Sequence, residues 1–177
     1  ADLARELGYR SACVLYVNNA YGQGLNDAFA ERFTAEGGTV TAQVPHEQEQ
    51  ASYASEIATS LEGNPEAFIG LSYPESGTVY LRELIESGEA PAIVFGDGLR
   101  SDTLFSELGW EPFQGISGAA PGTAESEIRA AFDAAYEDAY GELPLFPYLR
   151  EVYDAVHLIA LAAEAAGSND RTAIRDA

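Results

Sequence analysis

Hydrophobic positions open this chain in short runs, and each run stops at a turn before a helical pattern takes over. After a short helix over residues 1–7, stopped at Gly8, residues 12–17 form the first unbroken apolar run. Asn18 and Asn19 end it, and a polar turn holding Tyr21, Gly22 and Gly24 follows. Residues 24–36 then repeat at helical spacing, with Leu25, Ala28, Phe29 and Phe33 on one face. A buried strand that turns through glycines into a helix is the opening half of a βαβ unit. The pattern recurs along the chain. Strands are predicted over 39–44 (closed by Pro45), 67–71, 91–95 and 115–119, with helices over 52–61, 76–87 and 101–108 between them.

Strict alternation of this kind predicts an α/β fold, a parallel doubly wound sheet of about five strands with helices on both faces. Right-handed crossovers then carry every strand-to-helix turn to one rim. Those turns are 18–22, 72–75 and 96–98, so Tyr21, Tyr73 and Asp97 are expected near one edge. Ligands of open α/β sheets bind outside the carboxyl ends of the strands, which is that edge. At Pro121-Gly122 the alternation stops. Two helices are expected beyond it, over 126–140 and 148–166, separated by Pro144 and Pro147. The second carries Val152, Val156, Leu158, Ile159, Leu161 and Ala162 on more than one side, so burial on most faces is expected. The chain thus divides into an α/β lobe, 1–120, and a helical segment, 121–177.

Composition narrows the partners. The 177 residues are 46% hydrophobic and 21% charged, the balance of a globular protein. Nine basic residues, all Arg, stand against 29 acidic ones for a net charge of −20. Such a surface repels nucleic acid and anionic membranes. Solubility, in salty surroundings or in ordinary ones, accounts for it; a cation-binding role is the alternative, but the acids are scattered and no calcium-loop spacing of the EF-hand kind occurs. No apolar run approaches the ~20 residues that span a bilayer. Residues 1–10 read as an amphipathic helix and not as a secretory signal.

Candidate chemistry is sparse. Cys13 is the only cysteine and lies in the first apolar run, where a thiol acts as a small buried hydrophobe. His46 falls in an acidic loop and His157 in an apolar helix; two isolated histidines and one cysteine argue against a zinc site. Gly22 and Gly24 invite a dinucleotide fingerprint, but position 27 is Asp27 where a third glycine is needed, and its charge would repel a pyrophosphate. A chain without Lys has no phosphate-loop lysine. No G-x-S-x-G occurs, and neither histidine is expected near a strand-end loop, so nucleophilic catalysis lacks its parts. Tyr21 reads either as a surface aromatic packed on its own turn or as a ring walling a small-molecule cleft. Asp97, between two glycines, either shapes a turn or presents a carboxylate to a cationic ligand group.

Five words carry a resemblance. LYVNNAYGQG, FIGLSYPESG, VFGDG, GISGAAPG and the helix start Tyr153-Asp154-Ala155-Val156 occur in the order and spacing of the type I periplasmic binding proteins. The chain resembles in particular the branched-chain amino-acid (Leu/Ile/Val) binding proteins of ABC importers. The resemblance implies a non-catalytic solute-binding subunit without cofactor or metal, periplasmic or extracellular, working with a membrane permease. It assigns ligand contacts to Tyr21, which closes over the ligand, to Asp97, which takes an α-ammonium, and to Tyr148, which lines the pocket. Ser72, with Tyr73 behind it, stands where the family often has an aromatic ligand contact. Ser72 and the shorter Asp97 widen the pocket, so an amino acid or related small polar ligand is expected, not a strictly aliphatic one. The resemblance also implies that 1–120 match one lobe of two, and that the helices after Pro121 pack on the other lobe, which supplies the carboxylate-binding hydroxyls. On that expectation the chain alone binds ligand weakly or not at all, and self-association is one way to bury its helices. A ligand-sensing domain of a receptor or regulator shares the fold and is the second expectation.

Overall fold

A computed structural model describes residues 1–122, 124–144 and 148–177. Internal contacts divide the chain into two compact units, Ala1–Pro121 and Gly122–Ala177.

In the first unit, β1 (Ser11–Val17), β2 (Thr39–His46), β3 (Ala67–Leu71), β4 (Ala92–Phe95) and β5 (Ser117–Gly118) pair in the order β2-β1-β3-β4-β5. Every pairing is parallel. Helices α1 (Asp2–Glu6), α2 (Ala20–Ala35), α3 (Ala54–Ser60), α4 (Pro74–Ser87) and α5 (Asp102–Leu108) flank the sheet. This is the α/β fold that the alternation predicts. Side chains of β1 point alternately to opposite faces, as the strand period requires. Cys13 and Leu15 join Phe68, Tyr80, Leu81 and Leu84 on one side. Ala12 and Val14 join Phe29, Phe33, Ile69 and Val94 on the other. Strands covered on both faces become continuous apolar runs, which is why β1 and β3 are so plain in the sequence. Each large side chain buried here contributes about 1.5–3 kcal/mol.

Several boundaries depart from expectation, each for a local reason. Helix α2 begins at Ala20, not near 24, so Tyr21, Gly22 and Gly24 lie inside a helix and not in a polar turn. The Asn19 side chain caps it, accepting from the Gly22 amide at 3.0 Å. Gly22 is required there, because a Cβ would come within 2.0 Å of the Val17 carbonyl oxygen. Strand β2 runs through Pro45 to His46, which edge strands allow since one row of amides is unpaired. His46 is therefore a buried strand end, 2% exposed, and not part of a polar loop. Helix α4 starts with Pro74 in its first turn, where the missing amide proton costs nothing.

The second unit comprises α6 (Glu127–Tyr140), α7 (Leu149–Ala166) and α8 (Arg171–Asp176); the last was not anticipated from the pattern. Pro147, expected with Pro144 to separate α6 from α7, lies outside the described residues. Arg150 of α7 donates to Asp133 of α6 at 2.6 Å, and the Phe132 and Tyr153 rings meet edge to face at 5.0 Å. The expectation that α7 is buried on most faces fails for this chain. Val152, Val156, Leu158, Ile159 and Leu161 are all more than half exposed, and among the described residues no further layer covers them.

Candidate functional site

Three strand ends build the rim. Tyr21 stands in the first turn of α2 just beyond β1, Tyr73 caps α4 just beyond β3, and Asp97 opens a 3-10 turn (Asp97–Leu99) just beyond β4. The Tyr21 hydroxyl donates to Asp97 Oδ1 at 3.0 Å and accepts from the Gly98 amide at 3.2 Å. The Tyr21 and Tyr73 rings stack with centroids 5.2 Å apart and planes 19° from parallel. Asn19, already the cap of α2, donates from Nδ2 to the Tyr73 hydroxyl at 3.3 Å. All three predicted rim residues are brought together, each partly buried. A fixed aromatic pair beside a carboxylate can hold an apolar group and a cationic group of one small molecule.

The glycines around Asp97 are spatial requirements. A Cβ at Gly98 would lie 2.4 Å from the Ser72 carbonyl oxygen and 2.8 Å from the Tyr21 hydroxyl. Asp97 also borders an open groove of about 310 Å³ lined by Leu25, Phe29, Leu71, Val94 and Ala119. Tyr73 borders a separate depression of about 410 Å³ together with Gln48, Glu49 and Glu75.

Ser72 departs from the role that the resemblance implies. It is fully buried, and its hydroxyl lies 2.9 Å from His46 Nε2. It stands just beyond β3, which ends at Leu71, with its side chain turned to His46. Tyr148 belongs to the second unit, where it precedes α7 and its carbonyl accepts from the Val152 amide at 2.9 Å. In that unit Phe132, Tyr136, Val152, Tyr153 and Val156 line an apolar groove of about 680 Å³.

Two residues of this region escape the sequence reading. Asn19 carries the ordinary signal of a helix cap, a polar residue three positions before the amide it accepts from. His46 carries no such signal; contrary to expectation it stands at a strand end, packed against Ser72. Burial holds its imidazole below the ordinary pKa, against the opposing pull of the Glu47 carbonyl and the Glu56 and Glu47 charges. Cys13 is buried, and desolvation pushes its thiol up to about 12, so it is no nucleophile at neutral pH. Among the described residues no group of three His, Cys, Asp or Glu could hold a metal ion, and no helix is long and apolar enough to cross a membrane.

Comparison with known proteins agrees with this geometry. Residues 1–177 match the family described as periplasmic binding protein. The chain is 28% identical over 167 residues to the chemotactic signal transduction system substrate-binding protein BasB of Halobacterium salinarum, covering 94% of this chain and 38% of that protein. It is 29% identical over 180 residues to the Leu/Ile/Val-binding protein BraC3 of Rhizobium johnstonii, covering 95% and 47% respectively. The crystal structure of the leucine-binding protein LivK of Thermotoga maritima superposes with a TM-score of 0.80 at 26% identity, covering 98% of this chain and 50% of that one. The chain thus spans half or less of the length of the relatives it matches. With its parallel sheet and a match along its whole length, the chain belongs to the periplasmic binding protein family, a family of solute-binding proteins and not of enzymes.

Proposed function

We propose that this chain supplies one wall of the ligand site of an extracytoplasmic solute-binding protein that delivers an amino acid, or a related small polar molecule, to an ABC permease. The observation that carries the reading is the convergence of Tyr21, Tyr73 and Asp97 on one rim, with the Tyr21 hydroxyl bonded to Asp97. Asp97 takes the ligand's ammonium group, in a charge-assisted bond roughly twice as strong as a neutral one. The stacked tyrosines cover the side chain, and Tyr148 is a further ligand contact in this reading. Ser72 serves this wall from behind, through its backbone and its bond to His46.

In the relatives about half of the chain lies outside the matched stretch, and the facing wall of the site is assigned to that half. Closure of two lobes about a hinge traps the ligand. The 177 residues alone then bind weakly or not at all, and either self-association or repacking covers the apolar faces of α6 and α7.

The test is calorimetry on a protein carrying both halves, with a panel of amino acids and with the matching carboxylic acids that lack the ammonium group. Asp97→Ala is expected to weaken binding of the amino acid by about 10- to 100-fold, as for loss of a charged hydrogen bond. The acid without an amine should be little affected. Equal losses for the two would remove Asp97 from this role.

A ligand-sensing function is the second reading, and the name of BasB, a substrate-binding protein of a chemotactic signalling system, is what favours it. Co-purification with a transducer in place of a permease would select it.

A further inference from the structure

We propose that His46 is a positioning residue of this wall: through Ser72 it fixes the backbone that presents Tyr73 and supports the Asp97 turn, and it does so only as a neutral imidazole carrying its proton on Nδ1. The proposal rests on the reading of the Tyr21, Tyr73 and Asp97 rim as a ligand wall.

The tautomer follows from hydrogen-bond chemistry. Nδ1 lies 2.8 Å from the Glu47 carbonyl oxygen. A carbonyl only accepts, so Nδ1 bears the proton, and in a neutral ring Nε2 is then an acceptor. The Ser72 hydroxyl at 2.9 Å therefore donates to Nε2. The ring cannot swing away. It meets Tyr53 edge to face at 5.1 Å and Tyr80 at 5.9 Å, and both tyrosines are fully buried.

The position of Ser72 gives the bond its reach. Ser72 is flanked by Leu71, which ends β3, and by Tyr73, whose ring stacks on Tyr21. The Ser72 carbonyl oxygen is also the atom against which Gly98 sits, too close for a Cβ. One buried bond from the end of β2 thus sets both the aromatic wall and the carboxylate turn.

Charging the ring would undo this. Protonated Nε2 becomes a second donor, and the Ser72 proton must turn from the ring to the buried Tyr80 hydroxyl, so the bond that fixes Ser72 is remade in another direction. The groups around His46 are Glu47 next to it in sequence, Tyr53 and Glu56 from α3 and the residue before it, Tyr80 from α4, and Ser72 beyond β3. Glu83 of α4 accepts from the Tyr53 amide behind them. The two nearby acids favour the charged ring, and burial outweighs them.

The test reads the wall without ligand, by NMR on the full 177-residue chain. Nitrogen-resolved imidazole spectra at neutral pH should place the His46 proton on Nδ1; a proton on Nε2 would overturn the assignment. In Ser72→Ala and in His46→Phe, the ring-to-ring NOEs between Tyr21 and Tyr73 should be lost. Those between Phe29 and Phe33, stacked at 5.1 Å on the other face of the sheet, should remain and report that the fold is intact. The double variant should lose no more than either single one. Tyrosine NOEs unchanged in both single variants would sink the proposal. Should His46→Phe lose the phenylalanine contact as well, Ser72→Ala, which removes a single oxygen, decides alone.

Acid titration of the wild type adds a readout that a merely structural residue would not move. The Tyr21 and Tyr73 signals should follow the His46 midpoint, with Phe29 and Phe33 unmoved; movement of all four together would count against the proposal. The ligand reading fails separately, if no amino acid or small polar carboxylate of a standard panel binds a protein carrying both halves, and that failure would leave the NMR outcomes as they are.

Discussion

At the scale of single residues, the site depends on close approaches as much as on functional groups. Gly98→Ala places a methyl group 2.4 Å from the Ser72 carbonyl oxygen, a backbone atom that cannot rotate aside. The substitution should cost about 1–3 kcal/mol, the range for forced overpacking. Urea denaturation would check it, and an unchanged midpoint would show that the turn yields freely. His46 gives a pH prediction with a definite sign. Its folded pKa lies below the ordinary 6.5, so the native state binds fewer protons than the unfolded chain. Its contribution to stability is complete above about pH 6.5 and is lost as pH falls from there through the folded pKa. Melting temperatures of the wild type should fall over that window, and those of His46→Phe should stay flatter. Paired carboxylates titrate lower: the exposed Asp2 bonded to Arg32 and Glu66 bonded to the Arg10 and Ser11 amides, and the partly buried Asp133 bonded to Arg150, all have depressed pKa values.

At the scale of elements, the start of α2 joins folding to the site. Asn19 satisfies an orphan amide of the helix with its oxygen and holds the Tyr73 hydroxyl with its nitrogen. Asn19→Ala should cost about 1 kcal/mol of stability through the lost cap. It should also increase Tyr73 ring motion, read as a change in tyrosine NMR line widths. Loss of stability with unchanged Tyr73 line shapes would leave Asn19 as a cap alone. Most of this element was legible in advance. The apolar face of Leu25, Phe29 and Phe33 is a periodic signal, and the polar break at Asn18-Asn19 marks the end of β1. Its start was misplaced by four residues because two glycines argue for a turn. Only the packing of Gly22 on the Val17 carbonyl makes a glycine in the first helical turn sensible.

At the scale of the whole molecule, charge and coverage dominate. A net charge of −20 on 177 residues loads the folded state with self-repulsion. Salt shortens the Debye length from about 30 Å at 0.01 M to about 3 Å at 1 M, so sodium chloride should raise the melting temperature. A melting temperature that fell with salt would mean that favourable ion pairs outweigh that repulsion. The α6 and α7 surfaces tell the opposite story. Val156, Leu158, Ile159 and Leu161 stand 60–67% exposed, far more apolar surface than a helix pair leaves in water without a partner. That the relatives are twice as long or more fits this, since a further half of the chain is where cover is proposed to come from.

Local periodicity determined much of this protein by itself. The unbroken apolar runs of β1 and β3, helical spacing in α2 and α4, and turns between them were enough for a parallel sheet, because each is a property of adjacent residues. Right-handed crossovers then placed Tyr21, Tyr73 and Asp97 on one rim. Tertiary structure alone decided what those residues do to one another. The Tyr21 to Asp97 bond joins positions 76 apart and the Ser72 to His46 bond positions 26 apart, distances that depend on which strands become neighbours. It also turned Ser72 inward and buried His46 beneath Tyr53 and Tyr80. A sequence records which side chains are polar; which of them lose contact with water is settled only when the strands are packed.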